Sequence, residues 1–444
     1  MKLIITFILH ILSNMLVGIS ILHVFNLRDL STIRVIQAFV IGILIETTLG
    51  FFFLMIAMDC IYSFYLITIL ALIYLTLRVF MAKNSFQFSK AKLKFKGIEL
   101  LLISVIQIKV LLSFISWIRL PLYFDDAMTH WSGRARALYG KVNWSMDPEN
   151  VNFLGDQFGY TEYPFLSVIW RVNGATLNGS WHEIISRSDS YIFYLILLYS
   201  VYYLVQKLTE IRWVSLSAVI LTTALPLEFL HATSGYCEIV LQALIILFLI
   251  ALIQREWIIA GFISSACIFT KNEGLILLMP LFYLMTIWNI WHHRNAKDSI
   301  LKSIVFYSFS SFLLVLPWLL FKLINHVPFS TPTKSEYYYH DDSFTQFVTA
   351  MFASSSASVF WIMIFFLLII NIRTILSHHI LRMILFLMLS LITAFFLIFC
   401  FTGANMFLIN QMTIHRSLLQ IAPIGIILIA ISSSYNLSAI NNSK

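Results

Sequence analysis

Apolar runs of roughly 20 residues, long enough to cross a hydrocarbon core, alternate with polar connections along the whole chain. Such runs fall near 3–22, 35–57, 61–80 and 98–118, and a long polar stretch follows. They resume near 191–207, 213–230, 237–253, 257–270, 274–290, 303–324, 346–370, 381–402 and 418–436. The pattern predicts an all-α polytopic membrane protein with about 13 transmembrane helices. The pair 257–270 and 274–290 is the least regular, because "TKNEG" interrupts an otherwise continuous apolar stretch. No repeat of fixed period, low-complexity tract or linker divides the chain. Residues 1–444 therefore form a single domain: N-terminal helices over 1–118, a non-cytoplasmic loop over 119–190 and a C-terminal helical bundle over 191–444.

Composition agrees, with 60% hydrophobic and 11% charged residues and a mean hydropathy of +0.87. Apolar runs spread over the full length exclude a cleaved leader followed by a soluble domain. The net charge of +8 does not imply nucleic acid, because no basic block interleaves with aromatics on a polar domain. Its sources are topological. Arg28, Arg34, the run Lys83, Lys90, Lys92, Lys94 and Lys96, then Lys207, Arg212, Arg255, Arg294, Lys297, Lys302, Arg373 and Arg382 occupy alternate connections. Cytoplasmic loops behave so. With 81–97 inside, alternation places 119–190, 231–236, 325–345 and 404–415 outside, and 254–256, 291–302 and 371–380 inside. The four cysteines, Cys60, Cys237, Cys267 and Cys400, sit in or beside apolar segments without metal-like spacing and read as buried small hydrophobes.

The outer segments carry the unusual residues. In "YFDDAMTHWSGRARALYGKVNW", 123–144, the apolar positions Met128, Trp131, Ala135, Leu138, Tyr139 and Val142 recur at three- and four-residue spacing, with Thr129, Ser132, Arg136 and Gly140 opposite. This predicts an interfacial helix on the membrane surface, with Trp131 and Tyr139 at headgroup level. Asp125 and Asp126 open its first turn, where carboxylates suit the positive helix end. Two readings stand. Asp125 caps the helix beside a solvated Asp126, or a partly desolvated carboxylate serves as a general base. The pair equally suits a divalent metal held through oxygen ligands. Further on, Pro164 with Tyr160, Tyr163 and Phe165 predicts a buried, kinked return to the membrane, serving as interfacial anchors or touching a ligand.

Ionisable residues at membrane depth are costly and point to function or pairing. Glu238 opens a span, Lys271 and Glu273 sit in the "FTKNEGL" break, and Arg416 heads the last span in "TIHRSLLQIAP". All fall outside by alternation. Lys271 and Arg416 suit a phosphate or pyrophosphate; against this stand an internal Lys271–Glu273 ion pair and a snorkelling Arg416. Glu46, Lys109 and Glu228, inside apolar runs, are expected to pair with one another or line the cavity. His130 and His231 lie nearest the carboxylates in sequence. HExxH, GxSxG, P-loop and GxGxxG patterns are absent, so zinc-protease, hydrolase and nucleotide-binding motifs do not apply.

Taken in order, "FDDAMTHWSGRARALYGKVNW", "YTEYPFL", "SGYCEIVLQALIILFLIALI", "IFTKNEGLILL" and "HRSLLQIAP" resemble the GT-C membrane glycosyltransferases, which use polyprenyl-phosphate-linked sugars and include the protein mannosyltransferase and lipid A aminoarabinose transferase groups. The chain departs from that pattern in having Asp-Asp where many members have Asp-Glu, Glu238 where Asp is commoner, and four spans before the loop where many have one. The resemblance implies a large non-cytoplasmic first catalytic loop carrying interfacial helices. It implies Asp125 as the catalytic carboxylate or metal organiser, Asp126 in support, and Glu238 as a second acidic site residue. Lys271 and Arg416 would hold the donor phosphate, Glu273 would orient Lys271, and His130 and Tyr163 would support the site. The expected activity is inverting transfer of a sugar from a polyprenyl-phosphate donor to a lipid, glycan or protein acceptor on the outer side of a bacterial plasma or inner membrane. The resemblance specifies no cofactor, and a divalent metal at Asp125 and Asp126 stays open. The rival classes are a secondary transporter, a polysaccharide ligase or polymerase of the cell envelope, and an envelope-assembly scaffold.

Overall fold

The computed structural model describes residues 2–25, 27, 31–81, 96–122, 126–156, 161–293, 300–329, 337–353, 357–409 and 411–442. Asp125 and most of the basic connection 81–97 lie outside them.

The first apolar runs form α1 (Lys2–Val24), α2 (Thr32–Met55), α3 (Ile61–Met81) and α4 (Gly97–Arg119). The long polar stretch then holds a π-helical turn, Ala127–Gly133, that continues into α5 (Arg134–Gly140), followed by α6 (Leu166–Asn178). The return to the membrane foreseen around Pro164 takes the form of α6, buried over nearly its whole length and packed on α1 and α2.

The C-terminal bundle begins with α7 (Ser188–Thr209), α8 (Arg212–Ala224) and α9 (Pro226–Ser234). It continues with α10 (Glu238–Ile253), α11 (Trp257–Thr270) and, after the π turn Gly274–Leu278, α12 (Met279–His292). Then come α13 (Ile300–Leu313), α14 (Leu316–Ile324), α15 (Ser343–Phe352), α16 (Ser358–Ser377) and α17 (His379–Phe401). The chain closes with α18 (Met406–Ile409), α19 (Met412–Leu419) and α20 (Ala422–Asn442).

Two runs bend sharply: α8 meets α9 at 72°, and α13 meets α14 at 56°. Pro226 and Pro317 stand in the first turns after these breaks. Proline lacks an N–H and clashes with the preceding turn, so a helix restarts at it more readily than it continues. Among the described residues nine helices are long and apolar enough to cross a membrane, or eleven if each bent pair is one span. The other two runs, α10 and α11, have 16 and 14 residues, or about 24 and 21 Å of helix against a core of about 30 Å. Length alone therefore supports fewer than the expected 13. The run 346–370 is also not one span: α15 stops at Phe352 and the crossing helix is α16.

α10 is apolar all round and every residue from Glu238 to Leu252 is buried, so it is the axis on which α7, α9, α11 and α20 pack. The faces of α3, α4 and α16 that remain exposed are apolar, as lipid-facing helices require. At one end of α10 the basic connections meet their partners: Arg34 chelates Glu256, Arg212 lies 3.3 Å from Glu99, and Arg255 contacts His293. The charged residues singled out above gather at its other end.

The isolated charges within apolar runs do not pair with one another. Glu46 accepts from His10 (2.9 Å), Asn14 (2.6 Å) and Asn173 (2.6 Å), tying α2 to α1 and α6, while His10 stacks on Trp170. Lys109 donates to the Thr223 carbonyl at 3.1 Å, and Glu228 is buried on α9. A carboxylate far from water needs donors, and Asn and His supply them at lower desolvation cost than a Lys would. All four cysteines are buried and free.

Candidate functional site

Glu238 opens α10, where the positive helix end favours a carboxylate. Lys271 caps α11 in an extended conformation, and the chain restarts three residues later at Gly274. A Cβ on Gly274 would stand 2.0 Å from the Cys267 carbonyl oxygen, so only glycine lets the interrupted chain fold back this closely. Arg416 lies in the second turn of α19. Asp126 stands at the head of the π turn without capping it, since its side chain makes no bond to the turn's N–H groups. Its carboxylate reaches Arg416 instead.

These residues form one connected cluster. The Arg416 guanidinium donates from Nη1 to Asp126 Oδ2 at 2.5 Å and from Nε to Glu238 Oε1 at 3.0 Å, with Nη2 closing on the same Glu238 oxygen. Lys271 Nζ lies 3.2 Å from Glu238 Oε1 and 3.5 Å from Glu273 Oε1. Glu238 Oε1 thus receives both cations, while Oε2 is buried with no hydrogen-bond partner among the described residues. Under the guanidinium lies the ring of Tyr236 at 4.5 Å, itself stacked on His231. His130 Nε2 stands 3.7 Å from Asp126 Oδ1 and stacks on Tyr163, against which Trp131 packs edge-on. Two cations face three carboxylates.

Burial favours the neutral amine of Lys271; Glu238 and Glu273 outweigh that and push its pKa up, so it carries charge. Burial pushes the Tyr163 hydroxyl up as well, with Glu273 adding to it, so Tyr163 remains a neutral phenol. The metal reading rests on Asp125 and Asp126 together, and Asp125 lies outside the described residues. Asp126 Oδ2 accepts from Arg416 and its Oδ1 faces His130.

Trp131 is not on the surface facing lipid: it is 2% exposed and packed on Tyr163. Ser132, expected on the polar face, is buried too, and accepts from Arg171 at 2.9 Å. The segment is wedged into the protein because three arginines within and beyond it are structural. Arg171 chelates Asp189 through Nε and Nη2, and donates to Ser132 Oγ and to the Gly235 carbonyl. It therefore links the helix that follows Asp126 to the turn that precedes Glu238. Arg187 donates to the carbonyls of Thr233 and Trp117, its side chain filling the space where a Cβ of Gly235 (φ +84°) would go. Arg134 donates to the Leu154 and Tyr163 carbonyls over the Phe165 ring, and burial draws its pKa down to about 10. Sequence reasoning passed over all three; the available signal was an Arg inside an apolar run, as in "VIWRVNG".

Two recesses adjoin the cluster's end of the bundle. A cavity of about 490 Å³ lies between the end of α4 and residues 181–187, lined by Arg119, Arg136, Trp181 and Glu183 among others. An apolar slot between α9, α16 and α19 is lined by Leu225, Phe360, Trp361, His415 and Leu418, the last two flanking Arg416 in the helix.

No protein-family model matches the sequence, and no curated protein does. Among solved structures, the chain is similar to ArnT from Cupriavidus metallidurans bound to undecaprenyl phosphate, with a TM-score of 0.50 and 14% identity over 78% of this chain and 62% of that one. The apo state of the same protein gives a TM-score of 0.49 and 15% identity over the same shares. The chain thus spans less than two thirds of that neighbour's length. The bound-state likeness establishes a GT-C-like all-helical membrane fold.

Proposed function

We propose that this chain is a multi-pass membrane glycosyltransferase that moves a sugar from a polyprenyl-phosphate carrier to an envelope acceptor, at the non-cytoplasmic end of the bundle. The carrying observation is the cluster itself: Asp126, Glu238, Lys271 and Arg416, from four separate segments, converge at the end of α10 remote from the basic connections. Lys271 and Arg416 hold the donor phosphate and offset the negative charge that grows on it as the sugar departs. Asp125, adjacent in sequence to Asp126, takes the acceptor's proton. Asp126 and Glu238 set the guanidinium's orientation, Glu273 that of the ammonium, and His130 and Tyr163 support the Asp126 side. The cavity of about 490 Å³ at the end of α4 gives the acceptor an approach. The ArnT neighbour's undecaprenyl phosphate supports a lipid-phosphate ligand.

The test is transfer from polyprenyl-phosphate sugars by the purified chain in detergent, with Asp125→Asn and Arg416→Ala made separately. Arg416→Ala is expected to weaken donor-phosphate binding and to lower kcat by about 10²–10³; Asp125→Asn is expected to abolish turnover while donor binding persists. Full activity in Asp125→Asn would remove the base assignment, and unchanged donor binding in Arg416→Ala the phosphate assignment. Solute counterflow in liposomes without transfer would favour a transporter.

A further inference from the structure

At the basic end of the bundle, roughly 27 Å of helix away from the charge cluster along the π turn and α12, three histidines meet. His292 ends α12, His293 caps it and His379 opens α17. Their ligating nitrogens all lie within 4.8 Å of one another. The rings of His292 and His379 are stacked, with centroids 3.6 Å apart, and His293 stands edge-on to both.

The tautomer of His379 is set by its surroundings. Asn289 donates from Nδ2 to the Leu252 carbonyl at 2.8 Å, which turns its Oδ1 toward His379 Nε2 at 3.3 Å. An amide oxygen only accepts, so Nε2 carries the proton and the lone pair is on Nδ1. That Nδ1 is buried and has no hydrogen-bond partner among the described residues. A ring nitrogen whose other N–H is held by a carbonyl-type oxygen, with its own lone pair free, is what a metal-binding histidine presents. Facing His293 Nδ1 at 2.8 Å is the Arg255 guanidinium, a cation standing where a metal ion would compete for the same lone pair.

We propose that His292, His293 and His379 bind one divalent transition-metal ion of the imidazole-preferring class, zinc or its neighbours, and so join α12 to α17. Three neutral imidazoles without a carboxylate suit that class, with water as the fourth ligand. Nitrogens at about 2.0 Å from a tetrahedral ion lie about 3.3 Å apart, so the group closes on binding. Stacked rings cannot aim two lone pairs at one ion; His292, the exposed member, turns out of the stack, and Arg255 releases His293. The proposal is independent of the sugar-transfer reading, since none of these residues touches the charge cluster.

The full chain, purified with a tag free of histidine and stripped with chelator, is titrated with Zn²⁺ by calorimetry and with Co²⁺ by visible absorption. One equivalent is expected to bind, with the intense bands of tetrahedral Co²⁺. His379→Ala should weaken binding at least tenfold, and Arg255→Gln should tighten it by removing the competing cation. His292→Ala, at an exposed position, gives the same reading without a folding risk. The proposal is overturned if no saturable binding occurs, or if His379→Ala and His292→Ala both bind as the native chain does.

Discussion

Both cations of the cluster meet on a single oxygen of Glu238, so neutralising that side chain removes two contacts at once. Glu238→Gln should lower stability by about 3–5 kcal/mol, the usual result of leaving buried charges without their partner, read as a drop in the thermal midpoint in detergent. On the proposed reading sugar transfer should fall with it, whereas Asp126→Asn, whose side chain is less buried, should cost less stability. Asp126, Glu238, Lys271 and Arg416 were legible in the sequence because a membrane makes charge scarce: a lone Lys in "FTKNEGL" has few explanations. Arg171 was not legible, because its meaning depends on Asp189, Ser132 and Gly235, which the fold alone brings together.

The elements that carry the cluster are held by that arginine. Arg171→Lys keeps the charge but loses the two-pronged grip on Asp189 and the reach to Ser132 and Gly235 together. The helix after Asp126 and the turn before Glu238 then lose their common anchor. Arg171→Lys should increase hydrogen exchange over 127–140 and, on the proposed reading, lower kcat with little change in lipid-phosphate affinity; equal exchange in variant and native chains would remove the anchoring role. Most helices could be read from apolar runs, since nearly every run is one span-length helix, a bent pair or, for α10 and α11, a shorter helix. The breaks could not: 346–370 reads as continuous hydrophobicity, yet α15 and α16 are separate helices. The surface placement of Trp131 failed for a related reason. Three- and four-residue spacing shows that a helix has an apolar face, without telling whether lipid or protein covers it.

For the whole molecule, orientation in the bilayer is the property most open to measurement. The native cysteines are buried, so a membrane-impermeant maleimide should leave the folded native chain unlabelled. Lys141 is exposed, at the end of α5, and its ion pair with Asp59 is of the surface kind that contributes little. Lys141→Cys should therefore label from the outer side of intact cells; labelling only after permeabilisation would invert the topology. The positive-inside pattern predicts this orientation, which the labelling checks; the count of 13 crossings turns on α10 and α11, whose 16 and 14 residues fall short of a membrane's thickness. Arg416 and Asp126 stand 290 residues apart in sequence, and their contact latches the last helices onto the first large loop. On the proposed reading, a lipid phosphate that takes the Arg416 N–H now given to Asp126 would release that latch as it seats. The carrier's arrival would then loosen the end of the loop that holds Asp126, the neighbour in sequence of the proposed base, and so couple donor binding to the acceptor side of the site.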